Sequence, residues 1–375
     1  MPWQEMSTMS LRREFVMLAS REGANHTLLC RRFGISRKTG YKWLERFARE
    51  GPSGLAEVSR RPHSTPSKVS PAVEQTVLNL RDAHPDWGAR TLRRRLQALG
   101  WQALPCPSTL QAILRRHGRI DAAESSKHKP WVRFEHARPN ELWQMDFKGH
   151  FAVGATRCHP LTVLDDHSRF NLCLQACGNE QGDTVQTHLR QTFARYGLPQ
   201  RIAVDNGSPW GDQSDSPYTP LVLWLIRLGV RVSHSRPYHP QTLGKEERFH
   251  RTLKAEVLAR HSFKDLADVQ LRFDHWRGVY NFERPHHALG LQTPATRYIP
   301  SPRSMPNPLP AIDYGATDIV RRVQQGGWFT YRGRSLRISK AFAGYPVALR
   351  QTTTEGLIDI FFCHQKVAQF DLTLV

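Results

Sequence analysis

A change of hydrophobic period at Leu142 is the feature that most constrains the fold of this chain. Upstream, the patterns are those of short helices, whereas the first three apolar runs downstream alternate with polar residues and predict strands. Beyond the third run, helical and strand patterns alternate. The predicted strands lie near 143–147, 161–164, 170–174, 201–205 and 230–233, and the predicted helices near 181–196 and 221–228. Three strands followed by alternating helices and strands predict a mixed α/β layer.

The segment over residues 11–50 predicts three short helices. The middle helix ends at Gly34, and Ser36 is a good N-cap for the next helix, which runs to Glu50. A helix, a glycine turn and a second helix form the helix-turn-helix pattern. A small helical bundle with a basic surface is the alternative. Four residues that open the second helix are candidates to meet phosphates and base edges, namely Arg37, Lys38, Tyr41 and Lys42.

Residues 70–118 repeat this helical pattern. Pro71 stands at the first position of one predicted helix, and Ser108 starts another as the N-cap of a capping box. The predicted helix between them, over 88–99, carries three consecutive arginines that cannot all face inward. We therefore predict a second helix-turn-helix domain, with two candidate DNA contacts, Arg93 and Arg94.

The charge of the chain is strongly positive and uneven. Its 375 residues carry a formal net charge of +20, with a pI of about 10.2. Residues 1–120 hold 21 Lys and Arg against 9 Asp and Glu, a net +12, whereas the rest hold 32 against 24, a net +8. A basic front third predicts a polyanion partner, most often nucleic acid, with a membrane surface as the weaker alternative. The longest apolar run, Leu221 to Ile226, is far too short to span a bilayer.

The six cysteines are scattered and include no C-x-x-C pair. The first residues also lack the apolar core of a signal peptide. These two features predict a soluble, cytoplasmic protein whose cysteines are small buried thiols rather than ligands of a structural zinc ion.

The C-terminal region changes character once more. A proline-rich stretch over 300–310 predicts a linker, and the short alternating strands from Trp328 onward predict a small β-barrel of the SH3 type. The expected chain is therefore multidomain, with an all-α front, an α/β core and a β tail. The predicted domains are a helix-turn-helix domain over 1–60, a second one over 61–120, the α/β core over 121–300 and the small barrel over 301–375.

The stretch from His239 to Lys254 begins as a loop and becomes a helix, with Thr242 as the expected N-cap. Apolar residues recur along it at four-residue spacing and predict a buried stripe. A second stripe carries Glu247 followed by Arg251 and Lys254. A solvated face with intrahelical ion pairs would explain that stripe if the helix stood alone.

Two upstream carboxylates stand in contexts that match Glu247. Asp146 lies inside an apolar strand, where a charge is costly to bury unless it binds a cation or has a partner. Asp205 follows a buried strand at the end where α/β sheets present ligands. Each of the three residues alone fits an edge strand, a turn or a solvated helix. Together, on a basic chain, they predict a site for Mg²⁺, and two such ions can serve in-line phosphoryl transfer.

Several short motifs follow one another between about residues 135 and 298. They are Trp-Gln-Met-Asp at 143–146, Leu-Asp-Asp-His-Ser-Arg at 164–169, Asp-Asn-Gly at 205–207, His-Pro-Gln-Thr at 239–242, Gly-Lys-Glu-Glu-Arg-Phe-His at 244–250 and the segment 280–286. In this order they resemble the catalytic core of DDE transposases and retroviral-type integrases, and most of all that of bacterial insertion-sequence transposases.

The resemblance implies a ribonuclease-H-like fold in which Asp146, Asp205 and Glu247 bind two Mg²⁺ or Mn²⁺ ions. It also implies that Lys254 contacts DNA near this site. Three further cations of the same helix are candidate DNA contacts, namely Lys245, Arg248 and Arg251.

This chain departs from the family pattern in two ways. Glu246 stands where a small or apolar residue is usual, so it competes with Glu247 for the catalytic assignment. The residues that follow, from Arg248 to Lys254, fix the register and favour Glu247. The 41 residues between Asp205 and Glu247 also exceed the common spacing.

Four other residues near these motifs admit more than one interpretation. Asp165 and Asp166 compete for the metal site, and we assign them to a turn at a strand end. His239 and His250 either contact DNA, assist a proton transfer or are structural histidines held by hydrogen bonds, and we favour the structural interpretation for both.

The function implied by the resemblance is that of a transposase. It would bind the terminal inverted repeats of double-stranded DNA, cleave 3′ ends by metal-assisted hydrolysis and join them to target DNA by transesterification. It would act as at least a homodimer on DNA, associated with the bacterial nucleoid. The alternatives are a catalytically silent DNA-binding regulator on the same fold and a structure-directed nuclease.

Overall fold

The computed structural model describes residues 7–57, 59, 69–120, 135–211, 216–235 and 244–373. The chain divides into two compact units, Met1–Lys68 and Val69–Val375. The division into four domains stays a prediction. Within the described ranges, no helix has the length and apolar character needed to cross a membrane.

The first unit is a bundle of three helices, α1 (Thr8–Ala19), α2 (His26–Arg32) and α3 (Arg37–Glu50). Ser36 caps α3 as predicted, because its hydroxyl accepts the Thr39 N–H at 3.1 Å. The helix, glycine turn and capped second helix confirm the helix-turn-helix prediction. The buried residues at the centre of the bundle are Phe15, Val16, Ala19, Cys30, Trp43 and Leu55.

The second unit begins with three more helices, α4 (Pro71–Ala83), α5 (Ala89–Ala98) and α6 (Pro107–Arg116). The predicted N-cap at Ser108 is wrong, since Cys106 is the N-cap and Pro107 is the first helical residue. Proline suits that position because its fixed φ is already helical and it has no N–H to leave unsatisfied. Cys106 is exposed, so the expectation of buried thiols fails at this cysteine.

The core of the second unit is a mixed sheet of β1 (Trp143–Phe147), β2 (Phe151–Val153), β3 (Thr156–Asp165), β4 (Asn171–Cys177), β5 (Arg201–Val204) and β6 (Arg231–His234). β3 pairs antiparallel with β1, β2 and β4, whereas β5 pairs parallel with both β1 and β6. The strand order is β2-β3-β1-β5-β6, and β4 also pairs with β3. This arrangement confirms the predicted mixed α/β layer and the ribonuclease-H-like core.

Helices cover both faces of this sheet. α7 (Gly182–Tyr196) and α8 (Pro220–Arg227) pack on one face, and α9 (Gly244–Leu253) and α10 (Leu266–Gly278) pack on the other. Both α9 and α10 continue into a π-helical turn, over Lys254–Leu258 and Val279–Glu283 respectively. Thr242, the predicted N-cap of α9, lies outside the described residues.

The C-terminal region consists of β7 (Ile319–Arg322), β8 (Trp328–Tyr331), β9 (Arg334–Arg337), β10 (Pro346–Gln351), β11 (Leu357–Phe362) and β12 (Gln365–Asp371). The prediction of a closed SH3-type barrel is not confirmed. In the part of this region that the structure describes, four strands form an open sheet in the order β12-β11-β10-β7, and β8 and β9 pair only with each other. The alternation of apolar residues correctly predicts strands with one buried face, but it does not determine which strands pair.

The open C-terminal sheet packs on the ribonuclease-H-like core. Its apolar face shares one buried cluster with the core sheet and with α7 and α8. The side-chain amide of Gln365 also bonds both backbone groups of Val232 in β6, accepting the N–H at 3.0 Å and donating to the carbonyl at 3.2 Å. The C-terminal region therefore covers the edge strand of the core sheet, which would otherwise present unpaired backbone groups.

Candidate active site

Asp146 lies near the end of β1, directly across from Thr162 of β3. Its side chain is 25% exposed, so it reaches the surface from a largely buried strand. Burial raises the pKa of Asp146 to about 7, and the charge of Asp205 adds to the rise, with smaller contributions from Glu180 and Glu247. Three other carboxylates therefore lie close enough to raise the pKa of Asp146, and two of them, Asp205 and Glu247, are its predicted partners in metal binding.

Asp205 follows the last residue of β5, in a turn that is fixed by its own hydrogen bonds. Its carboxylate accepts the Gly207 N–H at 3.0 Å, and the side-chain amide of Asn206 donates to the Ser235 carbonyl at 2.9 Å. A Cβ atom on residue 207 would lie 3.2 Å from the nearer Asp205 oxygen. Glycine at 207 therefore leaves room for the carboxylate of Asp205.

Glu246 and Glu247 stand side by side in the first turn of α9 but face different environments. Glu247 is exposed, whereas Glu246 has no solvent exposure. The Thr162 hydroxyl lies 3.0 Å from the Glu246 carboxyl group. Burial raises the pKa of Glu246 well above its usual range, and the charge of Asp146 adds to the rise. The exposed Glu247 is therefore the better placed of the two to meet a ligand arriving from solvent.

His250 lies one turn after Glu246 on α9, close to Thr162 and Asp146. Its Nε2 is 2.8 Å from the Thr162 hydroxyl, and its Nδ1 is 3.9 Å from the Asp146 carboxylate. Burial lowers the pKa of His250 to about 3, with a further contribution from Lys148, so the ring is neutral at pH 7. These contacts favour the structural interpretation of His250. His239 lies outside the described residues.

Asp165 is the last residue of β3 and Asp166 begins the turn to β4, and both are buried. Asp165 accepts the N–H and hydroxyl of Ser168 at 2.7 and 2.6 Å, and the Asn140 N–H at 2.7 Å. Asp166 bonds Gln144 and forms an ion pair with Lys245. Both carboxylates are thus occupied by contacts within the protein, in line with their assignment to a strand-end turn.

The predicted DNA contacts differ in how far they reach solvent. The four on α3 are all exposed. On α5, Arg94 is exposed, whereas the half-buried Arg93 donates to the Pro105 carbonyl at 2.9 Å. On and just beyond α9, the exposed candidates are Arg248, Arg251 and Lys254. The fourth candidate there, Lys245, has a side chain only 15% exposed, and burial lowers its pKa to about 8.

Lys148 is a cation at this site that the sequence analysis missed. It is half-buried, and burial together with the nearby charge of Lys254 lowers its pKa. Its charge in turn acts on His250, which places it close to the carboxylates. The sequence signal for Lys148 is its position two residues after Asp146, directly after the end of β1. Lys148 and Lys254 give the site positive charge that can bind a phosphate group.

The carboxylates suit a hard divalent cation, which takes oxygen ligands. Burial is the main cause of the raised pKa of Asp146 and repulsion from Asp205 adds to it, and a bound cation would favour the ionised carboxylates. Among the described residues, however, no group of three His, Cys, Asp or Glu side chains is already close enough together to hold a metal ion. The donor set therefore fits a metal, and a ligand cage is not preformed in the described part of the chain.

Family models match most of the chain. Two models described as integrase core domain match residues 136–240 and 228–294, and the C-terminal domain of the IS481 family transposases matches residues 318–374. At the front, a helix-turn-helix domain matches residues 11–63 and a homeodomain-like domain matches residues 39–114.

Known proteins resemble part of the chain. A 39.2 kDa uncharacterized protein of insertion element IS476 from Xanthomonas euvesicatoria is 25% identical over 65% of this chain and 69% of its own length. A putative transposase for insertion sequence element IS5376 from Geobacillus stearothermophilus is 23% identical over 66% of this chain and 63% of its own length. The magnesium-bound catalytic core domain of HTLV-2 integrase, in its trimeric form, aligns with 43% of this chain and 97% of its own, at 16% identity and a TM-score of 0.34.

Proposed function

We propose that this chain, which belongs to the insertion-sequence transposases with an integrase core domain, cuts the 3′ ends of a transposable element and joins them to target DNA. It is a DDE transposase with N-terminal helix-turn-helix domains, and such enzymes are metal-dependent polynucleotidyl transferases. The observation that carries the proposal is the placement of three carboxylates: Asp146 near the end of β1, Asp205 directly after the neighbouring parallel strand β5, and Glu247 exposed in the first turn of α9. That placement supports a site in which Asp146, Asp205 and Glu247 act together.

The proposed reaction has two steps and forms no covalent bond to the protein. A water molecule attacks a phosphodiester at each end of the element, which frees a 3′-hydroxyl and leaves a 5′-phosphate. The 3′-hydroxyl then attacks a phosphodiester of the target, forms a new bond and releases a target 3′-hydroxyl. Asp146, Asp205 and Glu247 would hold two Mg²⁺ or Mn²⁺ ions, which when bound stabilise the attacking and leaving oxygens.

The remaining residues of the proposed site bind and orient DNA. The exposed cations Arg248, Arg251 and Lys254 follow Glu247 along α9 and its π turn, so they can hold phosphates beside the carboxylates. At the front of the chain, the exposed residues of α3 would recognise the terminal inverted repeats, with Arg93 and Arg94 of α5 as further contacts. Contact between Lys245 and DNA stays a prediction.

We further propose that the active form is an assembly of at least two copies on DNA, because transposition requires both ends of the element to be held together. The substrates would be double-stranded terminal repeats and target DNA. The protein would work in the bacterial cytoplasm, bound to the nucleoid.

A strand-joining assay tests this function. Wild type and Asp146→Asn are incubated with labelled DNA that carries the repeats flanking the gene, with supercoiled target and with Mg²⁺ or Mn²⁺. We expect wild type to join the DNAs and Asp146→Asn to bind the repeats with unchanged affinity but to join nothing. Joining by the variant at the wild-type rate would contradict the site. Tight binding without joining by wild type would favour a regulator.

A further inference from the structure

A single buried carboxylate, that of Asp166, connects three separate segments of the core. One of its oxygens accepts the side-chain amide of Gln144 at 2.9 Å and forms an ion pair with the ammonium of Lys245. The other oxygen accepts the backbone N–H of His136 at 2.9 Å. The Asp166 side chain is only 2% exposed. The ammonium of Lys245 also donates to the backbone carbonyl of Asp166 at 3.0 Å. Asp166 therefore offers this ammonium two acceptors, its carboxylate and its backbone carbonyl.

Two of the groups that Asp166 binds stand in matching positions relative to the candidate metal ligands. Gln144 precedes Asp146 by two residues on β1, so the two side chains leave the same face of the sheet. Lys245 precedes Glu247 by two residues in the first turn of α9. A change in the contacts of Asp166 would therefore move β1 and the start of α9 relative to each other, and the two carboxylates would move with them.

We propose that Asp166, through its ion pair with Lys245 and its bond to Gln144, is a positioning residue that ties the start of α9 to β1, so that Asp146 and Glu247 stay near enough for a cation to draw them into one site. This inference rests on the proposed function, because it takes Asp146 and Glu247 as the ligands. Asp166 does not itself touch substrate or metal in this proposal.

Electrostatics explains why such a connection is needed. Asp146 lies near the end of β1, Asp205 directly follows the neighbouring parallel strand β5, and Glu247 lies in the first turn of α9. Like charges on these carboxylates repel one another at this end of the sheet. Before a cation binds, that repulsion pushes the start of α9 away from β1. The ion pair of Lys245 with Asp166 opposes this movement at the same end of the helix. An apolar contact would bury the same segment at a lower desolvation penalty, but it is not directional and would not fix the separation.

The test compares Asp166→Asn and Lys245→Met with a matched control in the same unit. Glu256 is a similar buried carboxylate, 10% exposed, which accepts from Trp276 at 2.7 Å and from Arg284 at 3.0 Å. It lies in the π turn after α9, beyond the segment that carries Glu247. Glu256→Gln therefore removes a buried ion pair without changing the connection between β1 and the start of α9.

Two readouts are measured on the full chain. The first is the affinity for Mn²⁺ without DNA, by calorimetry, and the second is the rate of strand joining. We expect Asp166→Asn and Lys245→Met each to weaken Mn²⁺ binding about tenfold, the range usual for partners that orient metal ligands. The double variant should lose no more than either single variant, because both changes remove the same pair. Glu256→Gln should bind Mn²⁺ like wild type, even if its melting temperature falls as much as those of Asp166→Asn and Lys245→Met.

The outcomes separate this inference from the proposed function. Wild-type Mn²⁺ affinity in both Asp166→Asn and Lys245→Met would overturn the inference and leave the transposase function standing. An equal loss in Glu256→Gln would also overturn it, since the effect would then be a general loss of rigidity. If the wild type joins no DNA but Asp166→Asn and Lys245→Met still bind Mn²⁺ more weakly than the wild type does, the inference is supported and the proposed function is contradicted.

Two further measurements address a variant that does not fold and a direct contact between Lys245 and DNA. If Asp166→Asn does not fold, Gln144→Leu removes one of the contacts at nearly constant volume and should still weaken Mn²⁺ binding. If Lys245→Met lowers the affinity for DNA and its salt dependence while Mn²⁺ binding is unchanged, Lys245 contacts DNA and the positioning role is wrong.

Discussion

The carboxylate of Asp205 has its position set by the residue two places after it. Gly207 donates its N–H to one carboxylate oxygen, and a side-chain carbon at 207 would come within 3.2 Å of the other. That distance is shorter than an ordinary van der Waals contact, so a larger residue would displace the carboxylate by a few tenths of an ångström. The Asp-Asn-Gly motif thus has a steric explanation in this structure, apart from any role in catalysis.

We predict that Gly207→Ala lowers the joining rate about tenfold, because small displacements of catalytic groups have large effects on rate. The melting temperature should change little, since residue 207 is exposed and its φ lies outside the left-handed region. Gly278→Ala is the control, because a Cβ there meets no atom within 4 Å. Joining by Gly207→Ala at the wild-type rate would show that the Asp205 carboxylate needs no fixed position.

The ionisation of Asp146 works against folding in the absence of metal. Its pKa is about 7 in the folded chain, against a usual value of 3.8. The folded state therefore holds its proton more tightly than the unfolded state does. The stability associated with the protonated form is complete below pH 3.8 and is lost as the pH rises to about 7.

We predict that, with metal removed by EDTA, Asp146→Asn melts at a higher temperature than wild type and that the difference is larger at pH 8 than at pH 5. Asparagine matches the protonated side chain in size and carries no charge to repel Asp205. Saturating Mg²⁺ should raise the melting temperature of wild type at pH 8 and narrow the difference. A difference that does not change with pH would mean that Asp146 ionises normally.

The residues around these carboxylates show what the sequence could not reveal. Asp146 and Asp205 are visible from their local context, a charge in an apolar strand and a charge at a strand end. The contact of Thr162 with His250, however, joins residues 88 positions apart, and that of Lys245 with Asp166 joins residues 79 apart. Neither leaves a periodic or compositional trace. Glu246 was noticed only as a departure from a family pattern, and its burial required the structure.

Among the secondary-structure elements, capping rules predicted the start of a helix correctly where one capping residue was present. They failed where two residues competed for that role. Ser36 was the only good cap before α3, and its hydroxyl takes that role. Before α6, a serine two residues into the segment suggested a later start, but Pro107 set the first helical position. Strand existence was also predictable from alternation. The pairing of β8 with β9, separate from the other C-terminal strands, was not, because pairing depends on contacts distant in sequence.

We predict that Arg37→Ala in the first turn of α3 weakens binding to the terminal repeats by about 1–3 kcal/mol if it contacts a base, with a smaller loss on unrelated DNA. Arg49→Ala is the control, since Arg49 lies in the last turn of the same helix, is 64% exposed and pairs with Glu50. Binding to repeat and unrelated DNA would be compared by titration at one salt concentration. Equal losses for the two variants would remove Arg37 from the recognition surface.

At the scale of the whole molecule, helices α4–α6 belong to the same compact unit as the catalytic core. Among the described residues, two ion pairs connect them to it, Arg95 with Glu283 and Arg260 with Asp86. Their side chains are 20–40% exposed, so each pair contributes roughly 0–1 kcal/mol. Val279, only 8% exposed, adds an apolar contact from the core to the cluster among these helices. The composition of the chain predicted a basic front third but not this attachment to the core.

We predict that about 1 M salt, which screens exposed charges, leaves hydrogen exchange in α5 unchanged. Val279→Ser should speed exchange in α5 while β3 stays protected, because it removes apolar contact rather than charge. Glu283→Gln removes the ion pair with Arg95 instead, and it should change hydrogen exchange in α5 only slightly. Faster exchange in α5 at high salt, with no effect of Val279→Ser, would show that the ion pairs hold these helices in place.

The most direct test of the central claim is metal-dependent strand joining by Glu247→Gln beside Glu246→Gln. We predict that Glu247→Gln abolishes joining in both Mg²⁺ and Mn²⁺ while it still binds the repeats. Glu246→Gln should join like wild type, because its buried carboxyl has a pKa far above the usual range and glutamine matches the neutral form in size. Joining that survives in Glu247→Gln and is lost in Glu246→Gln would contradict the assignment of Asp146, Asp205 and Glu247 as the catalytic carboxylates.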